Sequence, residues 1–334
     1  MVKDHMKLIT VEEHYSSAVI GDRIREILEK RNSPLARATR APGASDGSFS
    51  PVNEIGDMRL AFMDSRGIDV QVVSYAHVLP ATLEPEISVD LCRMVNDDMY
   101  EKTSGHPDRF KCFAHLPLGD GEAAAAELER CVRELGFVGA MISGHYFNLP
   151  YDDPHYYPIY EKAVELDVPI YMHPTMVDPE ITAKYYKGEW SDRVTSLFAG
   201  QGVGWHYDVG VQLVRMILAG VFDKYPDLKI MCGHWGELVS FYMYRLDNLN
   251  NSVSLKKPIS DYFKDNFYVN PSGIINEPQF RFCLDTFGVD HIMWGADYPF
   301  IDAPNIRTML EGYDLPEEDK EKIAHGNAEK LLRI

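Results

Sequence analysis

The feature that most narrows the fold is an alternation: eight short apolar runs, rich in β-branched residues, are separated by stretches with helical spacing. The runs fall at residues 7–11, 69–74, 110–114, 137–142, 168–172, 228–232, 267–269 and 291–295. In segment 121–135, Leu128, Cys131, Val132 and Leu135 lie at i, i+3, i+4 and i+7, one face of a helix. Segments 86–103, 153–166, 207–222, 236–250 and 316–332 are read the same way. Near-continuous apolar strands alternating with helices signal a parallel sheet covered on both faces. Eight such units predict an α/β fold of the (β/α)₈ TIM-barrel type, as one domain over residues 1–334. An open doubly wound sheet is the alternative. No GxGxxG or Walker loop follows any run, which weakens that alternative and removes a nucleotide cofactor.

Two stretches exceed a plain barrel. Residues 15–58 follow the first run and include a Gly/Ser/Pro-rich segment at 42–51, expected to be a loop. Residues 175–205 follow the fifth run and carry Trp190, Phe198 and Trp205 in polar surroundings. Both are expected as insertions on the C-terminal side of their strands, where barrel active sites are built. Composition limits the partners. The chain carries 33 Lys+Arg against 51 Asp+Glu, a net charge of -18, which repels phosphate backbones and anionic headgroups. Nucleic acid and membrane surfaces are therefore excluded as expected partners, and a small-molecule substrate is favoured. The five cysteines are scattered without a CxxC pair, which argues against a disulfide framework. There is no 18-residue apolar span, and the N-terminus has no signal-peptide core, so a cytoplasmic protein is expected.

What ends the strands is informative. The first run leads into Val11-Glu12-Glu13-His14, and the fifth ends Tyr171-Met172-His173-Pro174. The sixth ends Cys232-Gly233-His234, and the eighth ends Gly295-Ala296-Asp297. Imidazole and carboxylate are ordinary ligands of a divalent transition metal. A strand has period two, so Glu12 and His14 share one side while Glu13 faces the other, as an outward salt-bridge partner. If the shared side is the barrel interior, Glu12, His14, His173, His234 and Asp297 converge at one mouth. Taken singly, each histidine is equally a hydrogen-bonded core residue, and Asp297 a turn residue. Four ligand-type groups ending apolar strands are hard to obtain from packing alone.

These residues also carry a family likeness. With Glu134-Leu-Gly-Phe-Val-Gly139, Asp167-Val-Pro-Ile-Tyr-Met-His-Pro174, Gly220-Val-Phe-Asp-Lys-Tyr-Pro-Asp-Leu-Lys-Ile230, Gly233-His-Trp-Gly-Glu237 and Ala296-Asp-Tyr-Pro-Phe300, the chain resembles the amidohydrolase superfamily. Within it, the likeness is to the metal-dependent, non-oxidative decarboxylases, which act on γ-resorcylate, 5-carboxyvanillate or aminocarboxymuconate semialdehyde. It extends from Glu12 to Lys330. The resemblance implies one divalent ion, Zn²⁺ or Mn²⁺, held by Glu12, His14, His173 and Asp297, with His234 and Asp297 catalytic. The Glu-x-His first motif is that of the γ-resorcylate enzyme and favours a phenolic acid over the muconate. The fourth strand ends Ser143-Gly144-His145, without the lysine that bridges two metals in many superfamily hydrolases, so a mononuclear site is expected.

The chemistry asked of such a site is protonation of the ring carbon that bears the carboxyl, followed by loss of CO₂. Asp297 is the expected acid, and His234 stabilises developing charge, oriented by Glu237 unless that residue serves a helix N-terminus. Arg245 is a candidate for the substrate carboxylate, and Tyr298 and Phe300 are candidates to flank an aromatic ring. Tyr15, Trp205, His206 and Trp235 are further rings expected near the mouth, and Arg59 is read as able to reach a neighbouring subunit's site. A homo-oligomer, dimer or tetramer, is the family expectation. The alternative activities are a metal-dependent hydrolase or lactonase and a hydratase of the same superfamily.

Overall fold

The computed structural model describes residues 6–31, 51–146 and 149–334. The segment at 42–51, apart from Pro51, lies outside the described residues. The strands are β1 (Ile9–Tyr15), β2 (Val70–Tyr75), β3 (Phe110–Cys112), β4 (Ala114–His115), β5 (Ala140–Ser143), β6 (Ile170–His173), β7 (Ile230–Cys232) and β8 (Phe267–Val269). They form two parallel sheets, β1-β2-β3 and β4-β5-β6-β7-β8, with helices between successive strands except β3 and β4. The third apolar run is split at Phe113 into β3 and β4. Phe113 N–H donates to the Val73 carbonyl and Ala114 N–H to that of Gly139, at 2.9 and 2.8 Å. The eighth run and the residues just after it form isolated parallel bridges, Ile292 to Val269 on one side, Trp294 to Thr10 and Tyr298 to Glu13 on the other.

Alternation along the strands separates two packing surfaces. Ile9, Val11, Val70, Val72, Phe113, Met141, Tyr171, Met231 and Met293 pack on one another. Val73, Cys112, Ala140, Ile142, Ile170, Met172, Ile230 and Cys232 pack beneath the helices. A buried apolar side chain of this size contributes roughly 1.5–3 kcal/mol, so register is strongly specified wherever one face excludes water.

At β1 the register shifts. Thr10 pairs with Gln71, but Glu13 pairs with Val73 and His14 with Ser74. Ile9 and Val11 belong to the inner cluster, so strict alternation would send Glu12 and His14 to the helices. The bulge inserts one residue and brings His14 level with Ser74, on the inner side. The strand also runs to Tyr15, four residues past the end of the apolar run.

Some helices differ from their sequence pattern. The closing stretch 316–332 is not one helix but Glu317–Glu321, a wider turn over Lys322–Gly326, and Asn327–Leu332. Asn327 donates to the Val289 and Ile292 carbonyls, tying that turn to the eighth run. All five cysteines are buried and unpaired with one another. No described helix is long and apolar enough to cross a membrane.

Candidate metal centre and active site

Glu12 is the hub of the site. Its side chain is fully buried, with Oε1 3.4 Å from His173 Nε2 and 3.9 Å from both His14 Nε2 and His234 Nε2. Its other oxygen, Oε2, accepts from the Tyr171 and Ser272 hydroxyls. Asn270 completes that polar layer, donating to the Tyr171 oxygen at 2.8 Å and accepting from Ser272 N–H at 3.1 Å. Gly233 leaves room for the layer, because a Cβ there would collide with Glu12 Oε2, Ser272 Oγ and the Tyr171 hydroxyl.

The imidazoles are oriented from behind. His173 Nδ1 lies 2.6 Å from the Pro174 carbonyl, a partner that can only accept, so Nδ1 carries the proton and Nε2 a lone pair. His14 Nδ1 faces Ser74 Oγ at 3.4 Å, and its Nε2 lies 3.2 Å from Asp297 Oδ1. Asp297 reaches that place from a left-handed backbone, φ 62°, with its N–H bonded to the Glu12 carbonyl at 2.9 Å.

His234 stands in an unusual turn. His234, Trp235, Gly236, Glu237 and Leu238 all have positive φ, and the right-handed helix begins only at Val239. Each non-glycine residue in that region costs roughly 1–2 kcal/mol. Bonds from Trp235 N–H to the Asn270 carbonyl at 3.0 Å and from Trp235 Nε1 to that of Ile274 at 2.7 Å hold the turn. The turn brings Glu237 back onto His234, with Oε1 2.7 Å from Nδ1. Glu237 therefore orients His234 and does not serve a helix N-terminus. Its second oxygen is 2.7 Å from His206 Nδ1, and Trp205 Nε1 donates to His206 Nε2 at 3.0 Å.

The electrostatics favour a cation. Burial opposes charge on His14, yet Asp297 and Glu12 raise it to about 9. Burial likewise opposes charge on His234, which Glu237 and Glu12 raise to about 9. Burial would raise Glu12, but His234, His14 and His173 outweigh it and hold the carboxyl well below the usual range. Glu12 Oε1 and His14 Nε2 are nonetheless buried without a hydrogen-bond partner of acceptable geometry among the described residues. Donor atoms of Glu12, His14 and His173 lie within 4.8 Å of one another. Two imidazole nitrogens and a carboxylate oxygen, converging without bonding each other well, fit a divalent ion.

The remaining sequence candidates divide. Phe300 is at the mouth, 61% exposed, with its ring 5.3 Å from that of His14. Tyr298 is not beside it: it packs on Phe62 at 4.3 Å and under the Arg59 guanidinium at 4.6 Å, because its place opposite Glu13 turns it to the helix side. Arg59 is fully buried in its own chain and donates to the His14 carbonyl, which removes it from a neighbour's site. Arg245 is exposed in the last turn of Val239–Leu246, outside the cluster. Trp235 and Tyr15 are core residues; Tyr15 donates to Asp98 at 2.7 Å. Glu13 is fully buried and accepts backbone N–H groups, so it is no outward salt-bridge partner. The layer of Tyr171, Ser272 and Asn270 was not singled out from the sequence. Its one signal was Asn270-Pro271-Ser272, polar residues directly after the seventh apolar run.

A family model described as Amidohydrolase matches residues 22–334. The chain belongs to the amidohydrolase family. This amidohydrolase is 36% identical over 295 residues to the γ-resorcylate decarboxylase of Polaromonas sp., covering 84% of the chain and 88% of that protein. It is 35% identical over 339 residues to decarboxylase orsB of Emericella nidulans, covering 98% of the chain and 97% of the relative. A solved structure of the dihydroxybenzoic acid decarboxylase of Polaromonas sp. JS666, with bound manganese and the inhibitor 2-nitroresorcinol, matches with a TM-score of 0.82 at 31% identity. That match covers 98% of this amidohydrolase and 97% of the other chain. The family match begins after Glu12 and His14, whose placement rests on the geometry of β1.

Proposed function

We infer that this amidohydrolase is a metal-dependent, non-oxidative decarboxylase that releases CO₂ from an ortho-hydroxybenzoate such as 2,6-dihydroxybenzoate. The observation that carries the reading is the convergence of Glu12 Oε1, His14 Nε2 and His173 Nε2 beside the Asp297 carboxylate. Glu12, His14, His173 and Asp297 would hold one divalent ion, with Mn²⁺ the first choice and Zn²⁺ the second. β5 ends at Ser143, the register partner of His173, with no lysine at that strand end, which supports one ion and not two. A bound divalent ion supplies positive charge for the phenolate and carboxylate oxygens of the substrate, fixing the ring in one orientation.

The protein's own groups then do the proton work. Asp297, the carboxylate of the set that is open to solvent, carries a proton to the ring carbon that bears the carboxylate. The ring loses aromaticity, the carbon–carbon bond breaks, and its electron pair restores the ring as CO₂ leaves. Asp297 regains a proton from water on its open side, where it is 16% exposed. His234, anchored through Nδ1 by Glu237, presents Nε2 to negative charge developing on the substrate. Phe300 covers one edge of the site and suits a flat ring.

We also read the two sheets as parts of one closed (β/α)₈ barrel in a single domain, with insertions after its first and fifth strands. The bridges on both flanks of 292–298 and the bonds across Phe113 support closure. The functional test is CO₂ release from 2,6-dihydroxybenzoate, 2,3-dihydroxybenzoate and 5-carboxyvanillate by Mn²⁺-loaded and chelated protein. Metal-dependent release from one of them is expected. No release from protein that holds one ion per chain would redirect the reading to hydrolysis or hydration.

A further inference from the structure

We propose that Glu13 is a positioning residue for Asp297: its buried carboxylate clamps the backbone N–H groups on either side of Asp297 and so aims the Asp297 carboxylate at His14. The proposal rests on the role given to Asp297 above.

Glu13 Oε1 accepts from Ala296 N–H at 3.0 Å, and Oε2 accepts from Tyr298 N–H at 3.1 Å. Between them, Asp297 N–H donates to the Glu12 carbonyl at 2.9 Å. Three consecutive N–H groups just past the eighth run thus end on two consecutive residues of β1. Asp297 itself sits at φ 62°, a conformation that a residue with a Cβ keeps only where its surroundings over-determine it. The Glu13 clamp is that surrounding. Gln71 Nε2, 3.3 Å from Oε2, holds the carboxylate in place from β2. Arg59, stacked on the Tyr298 ring, supplies a buried positive charge nearby, while both Glu13 oxygens stay on the amides.

Glu13 pairs with Val73, so its side chain leaves β1 on the helix side, away from Glu12 and His14. It touches neither the cation site nor the mouth. Its hydrogen bonds toward the Asp297 side run to the backbone of residues 296 and 298. Glutamine has the same shape but sets an amide NH₂ against one of the two N–H donors, which opens half of the clamp.

The test is a double-mutant cycle on the Mn²⁺-loaded full chain: wild type, Glu13→Gln, Asp297→Asn and the double variant. Three quantities are measured: kcat and KM for 2,6-dihydroxybenzoate, and the Mn²⁺ dissociation constant by calorimetry. Misplacing a reacting group by about 1 Å costs up to about 100-fold in rate, so Glu13→Gln should lower kcat by about 10- to 100-fold. KM should stay within about threefold and Mn²⁺ binding should weaken severalfold. In the Asp297→Asn background, the same substitution should change the Mn²⁺ constant and any residual kcat by less than about twofold, because coupled residues are non-additive. The calorimetric arm reads the cycle even where turnover is lost.

Equal losses in both backgrounds would overturn the proposal and leave Glu13 as an ordinary buried strand-end residue. If Glu13→Gln does not accumulate as folded protein, Gln71→Leu loosens the same carboxylate. Its smaller loss should again vanish beside Asp297→Asn, and an equal loss in both backgrounds would overturn the proposal. Wild-type protein that binds Mn²⁺ but releases no CO₂ would sink the decarboxylase reading alone, since the calorimetric cycle still tests the clamp.

Discussion

Replacing Glu12 by glutamine is the perturbation whose size the structure lets one work out. His14 is raised from 6.5 to about 9 against the opposing effect of burial, by Asp297 and Glu12 together. Each pKa unit is about 1.4 kcal/mol, so the site attracts one positive charge by about 3 kcal/mol net. Glu12 is one of the two sources of this attraction, and a divalent ion feels twice the field, so neutralising Glu12 should weaken ion binding by on the order of 10- to 100-fold. Geometry adds to it. The Tyr171 and Ser272 hydroxyls donate to Glu12 Oε2, so a glutamine places its carbonyl there and turns its NH₂ toward the imidazoles. Calorimetric titration with Mn²⁺ of Glu12→Gln and wild type gives the ratio directly, with metal-free melting curves as the check on folding. A Glu12→Gln protein that folds and binds Mn²⁺ within about threefold of wild type would refute the reasoning, since the Glu12 carboxylate faces all three histidines.

Two further substitutions probe the surroundings. Gly233→Ala should weaken Mn²⁺ binding by displacing the Glu12 carboxylate through its collision with the new methyl, and unchanged affinity would show that the polar layer can yield. His115 is buried, with Nε2 lacking a hydrogen-bond partner among the described residues, and burial pushes it down to about 3. Between the unfolded value near 6.5 and that folded value, the unfolded chain binds the extra proton. Stability is thus full above about pH 6.5 and falls with acidification by at most about 1.4 kcal/mol per pH unit. His115→Phe should remove this slope in urea melts taken between about pH 6 and pH 4, and an unaltered slope contradicts it.

The clustering of Glu12, His14, His173 and Asp297 was legible because imidazoles and carboxylates interrupt or follow apolar runs where few packing reasons would put them. The same property hid the strand itself. Apolar character stops at Val11, yet backbone pairing with β2 continues to Tyr15, so the motif lies within β1 and not after it. Period-two alternation correctly separated Glu13 from Glu12 and His14. It said nothing of what Glu13 would meet, because its partners are backbone amides of residues 296 and 298, nearly the whole chain away. Tyr298 followed Glu13 to the helix side for the same reason, while Phe300, beyond the bridge, reached the mouth. Helical spacing likewise predicted a continuous helix from 236, where five consecutive left-handed residues instead fold Glu237 back onto His234. A local pattern cannot report a strained turn that tertiary bonds to Asn270 and Ile274 maintain.

The central claim is that protonation of the carboxylate-bearing ring carbon, assisted by a metal at Glu12, His14, His173 and Asp297, expels CO₂. Turnover of 2,6-dihydroxybenzoate in D₂O, followed by proton and carbon NMR with and without Mn²⁺, tests it most directly. The account predicts CO₂ and resorcinol in equal amounts, with one deuterium at the carbon that lost the carboxylate, and neither product after chelation. A product that keeps its carboxylate, or resorcinol formed equally well without metal, would contradict it.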